Sequence, residues 1–366
     1  MLRMRKLQIN MSQIYRPDLV AQTGVALFTA AGATPEEARS AIDALIVSSL
    51  MGHDSHGVIR IPEYLGYLAK GLIVPAAPIT VERTGPGSAI VDCGFGFGAI
   101  GAERAILEGV SIAKEQRTAT VITQRCNHVG RLGAWVQLAA EHEMVSIATC
   151  RSALYSHFVL PWGGREVRLA TNPIAWAAPT TGDPIVADFA TSVAAEGKVR
   201  FHRNEGKPVP DGWILDSAGN PSNDPNDFYG PPRGGILPLG GNAGHKGFAL
   251  GLLVEILGGA LAGLGCQDPE GFGNGVCFIV IDPSAFVPPD VFRRLMDETV
   301  AFMKSSPPVP GVDEVLVPGE LEFRTMRKRR QLGIPIDDAT LRVMQEEGRQ
   351  LGVDVGSLLN SGNPAA

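Results

Sequence analysis

His53, Asp54, Ser55, His56 and Arg60 crowd into one short run, Gly52-His53-Asp54-Ser55-His56-Gly57-Val58-Ile59-Arg60. An imidazole that titrates near neutral pH can take a hydroxyl proton and return it. A guanidinium can hold a carboxylate by two parallel hydrogen bonds and so fix the carbon beside it. Together these types suit the interconversion of a 2-hydroxy acid and a 2-oxo acid, in which a hydride leaves the carbon that bears the hydroxyl. His56 and Arg60 stand four apart and share a face if a helix has begun by His56. The same run also reads as a polar turn between helices, with Asp54 or Ser55 capping the next one. A metal-dependent hydrolase built on His53 and His56 needs a third ligand, and the glutamate-containing helical zinc signature is missing, so no metal is expected. A second cluster, Asn127-His128-Val129-Gly130, follows the strand-like run Thr118 to Thr123. Strand C-termini are where α/β proteins gather active-site side chains, although a lone loop histidine is also often structural.

The elements that must position these groups are legible in stretches. Thr34, Pro35, Glu36 and Glu37 form a capping box ahead of Ala38, Ala41, Ile42, Leu45 and Ile46 at helical spacing, with Gly52 at the left-handed exit. A second helix is expected through Tyr64 and Leu68. Strand-like runs at Ile79 to Glu82, Ala89 to Asp92, Thr118 to Thr123 and Val145 to Thr149 alternate with helical runs at Gly98 to Lys114 and Leu132 to Glu141, which favours an α/β arrangement. Ser152 to Gly244 is richer in glycine and proline and reads as mostly β with long loops. Beyond Pro289 amphipathic helices return, one starting at Asp337, Asp338 and Ala339.

Bulk properties narrow the class. A chain of 366 residues, 45% hydrophobic and 19% charged, describes a well-buried protein of one composite or two unequal domains. The formal charge of -6 gives no footprint for nucleic acid, so a small anionic substrate must be caught by local cations. Five scattered cysteines, Cys93, Cys126, Cys150, Cys266 and Cys277, suit a reduced cytoplasmic protein. Met1 to Gln13 lacks the apolar run of a secretory signal and reads as a mobile leader, with Met11 an alternative start. Lys246 to Gly265 has the length to cross a bilayer, but Glu255 at its middle and its glycines point to a core or subunit-interface helix, with no membrane partner expected.

Gly96, Gly98 and Gly101 form a Gly-x-Gly-x-x-Gly between a strand and a helix, the local context of a dinucleotide fingerprint. The acidic residue that should end the following strand is missing; Ile122, Thr123 and Gln124 stand there. The glycines are expected instead to permit a tight turn.

The run Gly52 to Arg60, followed by Pro62 and Tyr64, closely resembles the N-terminal signature of the malate/L-lactate dehydrogenase-like oxidoreductases. The resemblance continues through Asn127-His128-Val129-Gly130, Thr171-Asn172-Pro173-Ile174-Ala175, Asp188-Phe189-Ala190-Thr191-Ser192, Gly197-Lys198, Pro238-Leu239-Gly240, Lys246-Gly247 and Val317-Pro318-Gly319-Glu320. It implies an α/β fold unlike the standard dinucleotide-binding domain. Residues 14–145 and 266–345 would form a discontinuous α/β domain, and residues 146–265 a central β-rich domain that grips NAD or NADP. It also implies a homodimer whose active site lies near the domain and subunit boundary. Carried over residue by residue, His56 or His128 exchanges the proton and Arg60 holds the carboxylate of a small 2-hydroxy or 2-oxo acid. Ser152, Thr171, Asn172, Asp188, Phe189, Ala190, Thr191, His245, Lys246, Gly319 and Glu320 fall at cofactor-binding positions. Val129, Arg131 and His245 depart from the usual pattern, and Arg131 and Arg151 are candidates to meet a second carboxylate or sulfonate. The resemblance also leaves room for an imine reductase acting on cyclic or N-alkyl imines of 2-oxo acids, or for a silent nucleotide-binding protein.

Overall fold

The computed structural model describes residues 13–152, 157–265 and 273–361; the leader ahead of residue 13 and Cys266 lie outside them. Strand β1 (Gln13–Tyr15) and helix α1 (Pro17–Ala30) precede α2 (Pro35–Leu50). The capping box at its start is formed: Glu37 N donates to Thr34 Oγ1 at 3.2 Å and Thr34 N donates to Glu37 Oε2 at 3.1 Å. Gly52 reverses the chain at φ +85°. Residues 54–56 and 58–60 then form two separate 3-10 turns before α3 (Ile61–Ala69), so no continuous helix carries His56 and Arg60 together.

The middle of the chain alternates as expected. In order come β2 (Thr80–Gly85), β3 (Ser88–Asp92), α4 (Gly98–Gln116), β4 (Thr118–Gln124), α5 (Leu132–Glu141), β5 (Val145–Ser152), β6 (Pro173–Ala178) and β7 (Ile185–Ala190). Then α6 (Glu196–Asn204), β8 (Ile214–Leu215), β9 (Pro221–Ser222), α7 (Pro225–Tyr229) and β10 (Gly235–Ile236) lead to α8 (Gly244–Val254) and β11 (Asn274–Ile281). Helices α9 (Pro289–Lys304), α10 (Glu320–Leu332), α11 (Asp338–Leu351) and α12 (Val355–Asn360), with β12 (Ile334–Ile336), complete the described chain. Asp337 caps α11 through the N–H groups of Ala339 and Thr340.

One mixed sheet in the order β2-β3-β4-β11-β5-β6-β7 organises the molecule. Only β3 and β4 run parallel; every other neighbouring pair in it is antiparallel. The β-branched runs of β4 and β11 are buried, and Ala102, Ala105, Ile106 and Val110 of α4 join Val91, Val121 and Phe278 in one core cluster. A second cluster, with Leu27, Phe28, Ile42, Ile61, Tyr64, Phe97 and Met344, joins α1, α2, α3 and α11. Residue 146, where a domain boundary is expected, lies inside β5, in the middle of the continuous sheet.

The apolar run 241–262 has the length and composition to cross a membrane, yet it breaks into a 3-10 turn, α8, a π-helical turn at Glu255–Gly259 and a second 3-10 turn. Glu255 accepts from Asn172 Nδ2 at 2.8 Å and lies 3.4 Å from Nε of Arg151, which is 1% exposed and also donates to Gly265 O. The Arg151 guanidinium is thus committed to the fold, and the expectation that it meets a second acid group of the substrate is corrected. Glu255→Leu is expected to destabilise the chain by about 3–5 kcal/mol, because it strands a buried guanidinium. A lowered urea midpoint at unchanged slope is the reading; a loss below about 1 kcal/mol would show the pair to be dispensable.

Candidate active site

The glycine run is no phosphate cradle, in line with the missing acidic residue at the end of β4. β3, α4 and parallel β4 do form the β-α-β unit that a dinucleotide fingerprint would open. But the space at the first turn of α4 is filled by the Asn127–His128 segment. A Cβ on Gly98 would stand 2.1 Å from Asn127 O and 2.5 Å from His128 O, and one on Gly101 would stand 2.4 Å from Cys93 Sγ. Asn127 Nδ2 in turn donates to Leu72 O, Phe95 O and Gly96 O, at 3.0, 2.7 and 2.9 Å. The glycines bring helix backbone against the His128 loop, which leaves no room for a pyrophosphate there.

His128 is held from three sides. Its neighbour Val129 donates from N to Asn274 Oδ1 at 3.1 Å, and Val129 O accepts from Trp135 Nε1 at 2.9 Å. Tyr64 Oη lies 2.7 Å from His128 Nδ1 and 3.3 Å from His128 O. The His56 ring stacks on His128 with centroids 5.5 Å apart and planes within 19°. His56 Nδ1 is 3.0 Å from Ser55 Oγ, so both imidazoles make these contacts through Nδ1. Arg60 Nε donates to Ser55 O at 2.7 Å and Nη1 pairs with Glu63, whose other oxygen accepts from Tyr67 Oη. His56, Arg60 and His128 are therefore brought together, through 3-10 turns rather than one helix face.

Burial, then the Arg60 charge, pushes the His128 imidazole down to about 3. Burial, then electrostatic repulsion in the surroundings set by His128, Arg60, His53 and Arg131, holds His56 well below the ordinary imidazole range. Both rings are neutral at neutral pH, the form in which an imidazole can accept a proton. His53 turns instead to Glu322 on α10, 3.6 Å away. Among the described residues no three metal-ligating side chains form a candidate cation site. Arg131, 3% exposed, donates to Gln137 and faces Asp188 and Glu322 electrostatically; its Nε has no partner among the described residues.

The positions assigned to a cofactor gather mainly at one end of the sheet. The registers Asp92 with Gln124, Cys126 with Asn274, Asn274 with Ser152, and Pro173 with Ala190 place the ends of β3, β4, β5 and β7 and the starts of β6 and β11 together. Ser152, Thr171, Asn172, Ala190 and Thr191 therefore share an edge with the His128 loop. Asp188 accepts from Gly133 N at 2.7 Å at the start of α5, and burial raises its carboxyl above the usual range. Phe189 is exposed, as are His245 and Lys246 in the first turn of α8, close to Thr191 through Leu239 and Gly247. Gly319 and Glu320 stand apart, beside Val186 near the other end of β7, and Lys304 holds the Glu320 carboxylate at 2.6 Å. Residue types near the motifs gave no hint of Asn274, which ties Val129 to Ser152, or of Gly133 and Glu322; each acts through long-range packing. Tyr64 was visible only as part of a motif.

Residues 16–345 match the sequence model of the malate/L-lactate dehydrogenase family. The malate dehydrogenase of Pyrococcus horikoshii is 35% identical over 90% of this chain and 93% of its own length. Hydroxycarboxylate dehydrogenase B of Escherichia coli O157:H7 is 33% identical over 90% and 91%. The solved structure of sulfolactate dehydrogenase from Methanocaldococcus jannaschii superposes with a TM-score of 0.85 at 30% identity, covering 94% of this chain and 99% of that one.

Proposed function

The chain belongs to the malate/L-lactate dehydrogenase family, and on that premise we propose that it moves a hydride between C2 of a small 2-hydroxy acid and the nicotinamide of NAD or NADP. The observation that carries the reading is the stacked His56–His128 pair beside Arg60: two neutral imidazoles next to a carboxylate receptor. Arg60, propped by Ser55 O and Glu63, would offer its Nη2 end to the substrate carboxylate. His128 Nε2 would take the C2 hydroxyl proton as the hydride leaves and return it in the opposite direction, with His56 Nε2 steering the same oxygen. When bound, the cofactor supplies the hydride acceptor or donor; the protein's part is orientation, one proton and one carboxylate.

The residues fit a dinucleotide. Ser152 and Thr171 bring hydroxyls to the sheet end beside His128, and Asn172 Oδ1 is buried with no partner among the described residues. Lys246 in the first turn of α8 would meet a phosphate. A cavity of about 350 Å³ lined by Ile185, Pro318, Glu320 and Phe323 adjoins Gly319 and would take the adenosine half. On this reading residues 146–265 supply most of the cofactor face, completed by the 317–323 segment, and the remainder of the discontinuous domain of residues 14–145 and 266–345 supplies the substrate face. Homodimer assembly belongs to the same reading. Leu252, Leu253, Ile256 and Leu261 lie exposed along the 241–262 run, and Ile147 and Trp176, paired across β5 and β6, are exposed as well. Four buried free cysteines, Cys93, Cys126, Cys150 and Cys277, support placement in the reducing cytoplasm.

Loss of reduced-nicotinamide absorbance, with NADH and NADPH tested separately against pyruvate, oxaloacetate, sulfopyruvate and longer 2-oxo acids, tests the reading. Turnover that appears only when methylamine is added would replace it with imine reduction, and cofactor binding without any turnover would leave a nucleotide-binding protein. Arg60→Lys is expected to raise KM for the 2-oxo acid about 10–100-fold and leave KM for the cofactor unchanged, since a point charge replaces a planar fork. A rise under about threefold would take the carboxylate away from Arg60.

A further inference from the structure

We propose that Tyr64 is the positioning residue that fixes His128 as the Nδ1–H tautomer, leaving the Nε2 lone pair for the substrate hydroxyl. The proposal rests on His128 being the residue that exchanges the proton. Tyr64 Oη has two acceptors in reach on the same residue, Nδ1 at 2.7 Å and the backbone carbonyl at 3.3 Å, and only one proton to give. When that proton goes to the carbonyl, Oη accepts from Nδ1–H and the ring is locked in the tautomer that can act as a base. When it goes to Nδ1, the ring proton must sit on Nε2, and the lone pair is lost to the substrate.

Only the first arrangement balances the reaction. In oxidation, Nε2 accepts the hydroxyl proton while the C–H bond's electron pair leaves with the hydride. The C=O bond forms, and the ring becomes an imidazolium whose Nδ1–H still donates to Tyr64 Oη. In reduction, the hydride adds to C2, the oxygen takes the Nε2 proton, and the same neutral tautomer returns. Starting from Nε2–H, proton release would leave an imidazolate or a Tyr64 phenolate, and burial raises the phenol's proton affinity far above its ordinary value.

Tyr64 is suited to hold this setting. It is 3% exposed on α3, and its ring packs near Phe28 and Phe97 at centroid separations of 6.1 and 6.4 Å. A neutral hydroxyl in the place where other enzymes use a carboxylate orients the ring without adding a charge. Tyr64→Phe keeps that packing and removes only the oxygen.

The experiment combines histidine-selective ¹⁵N NMR with steady-state kinetics on the intact enzyme, assigning the His128 signals by their absence in His128→Gln. The proposal expects a protonated Nδ1 and an unprotonated Nε2 in the unaltered enzyme. It expects Tyr64→Phe to shift His128 toward Nε2–H and to lower kcat by about 10²–10³, against about 10⁴ where a wrong tautomer is enforced in a serine protease, with KM values within about threefold. An Nε2–H signal in the unaltered enzyme, or kcat in Tyr64→Phe within about threefold of it, overturns the proposal alone. Undiminished turnover in His128→Gln overturns both the proposal and the proton-exchange assignment on which it rests.

Discussion

Alanine at His128 is expected to lower kcat by two to four orders of magnitude, the usual worth of a positioned acid–base group (about 10²–10⁴), with reduced-nicotinamide binding intact by fluorescence titration. His56→Ala is expected to cost less, since on the proposed mechanism His56 stacks on the exchanging ring and only steers the oxygen. If His56→Ala proves the more severe, the two roles are reversed. The acid side carries a second signature. With His128 held down to about 3, kcat/KM in the oxidation direction should show no limb at the ordinary imidazole value of 6.5. Stability follows with a definite sign. Between about 6.5 and 3 the unfolded chain binds a proton at this position and the folded chain does not, so acid draws the equilibrium toward unfolding across that window. His128→Ala removes this contribution, and its unfolding midpoint should fall less than the parent's between neutral pH and pH about 5.

Gly98→Ala is expected to damage activity nearly as much, from a residue that touches no substrate. The added methyl would meet backbone, Asn127 O at 2.1 Å and Asn127 C at 2.5 Å, and backbone cannot rotate away as a flexible side-chain tip can. Either α4 or the Asn127–His128 segment must shift. A displacement of about 1 Å in a catalytic group costs roughly 10² in rate, and overpacking typically costs about 1–3 kcal/mol of stability. The control is Gly96→Ala, whose methyl would come no nearer than 3.3 Å to Cys93 O. Lost kcat at unchanged cofactor KM in Gly98→Ala, beside a nearly normal Gly96→Ala, is the expected pattern. A rise in cofactor KM at normal kcat would restore the phosphate-binding reading of the glycine run.

What could be read from the chain without its fold was local. The Thr34–Glu37 capping box, the end of α5 and the cap at Asp337 depend on residues a few positions apart, and each formed as written. The strand and helix alternation from Ala89 to Thr149 was likewise set by short-range periodicity. The likeness between scattered motifs pointed to His56, Arg60 and His128, although spacing alone suggested a helix face where two 3-10 turns occur. The remaining features depend on distant pairs. Tyr64 meets His128 across 64 positions, Asn127 meets Leu72 across 55, Asn274 meets Val129 across 145 and Arg151 meets Glu255 across 104. No periodicity encodes such contacts. The glycine run shows the complementary case: the missing acidic residue told against a fingerprint, but the packing role of Gly98 was decided by a segment about thirty residues downstream.

The position of β11 has a consequence for biosynthesis. β4 and β5 are successive strands of the chain, yet in the sheet β11, about 150 residues beyond β4, lies between them. A ribosome that has released β4 and β5 has released two unpaired hydrogen-bonding edges that must stay apart until residue 281 emerges. Pairing them with each other would make a compact wrong product, one that excludes the strand that belongs there. At about 5–20 residues per second, the wait lasts roughly 6–30 seconds. The nascent chain should therefore engage holding chaperones during that interval, and refolding from denaturant should lose more material to aggregation as protein concentration rises.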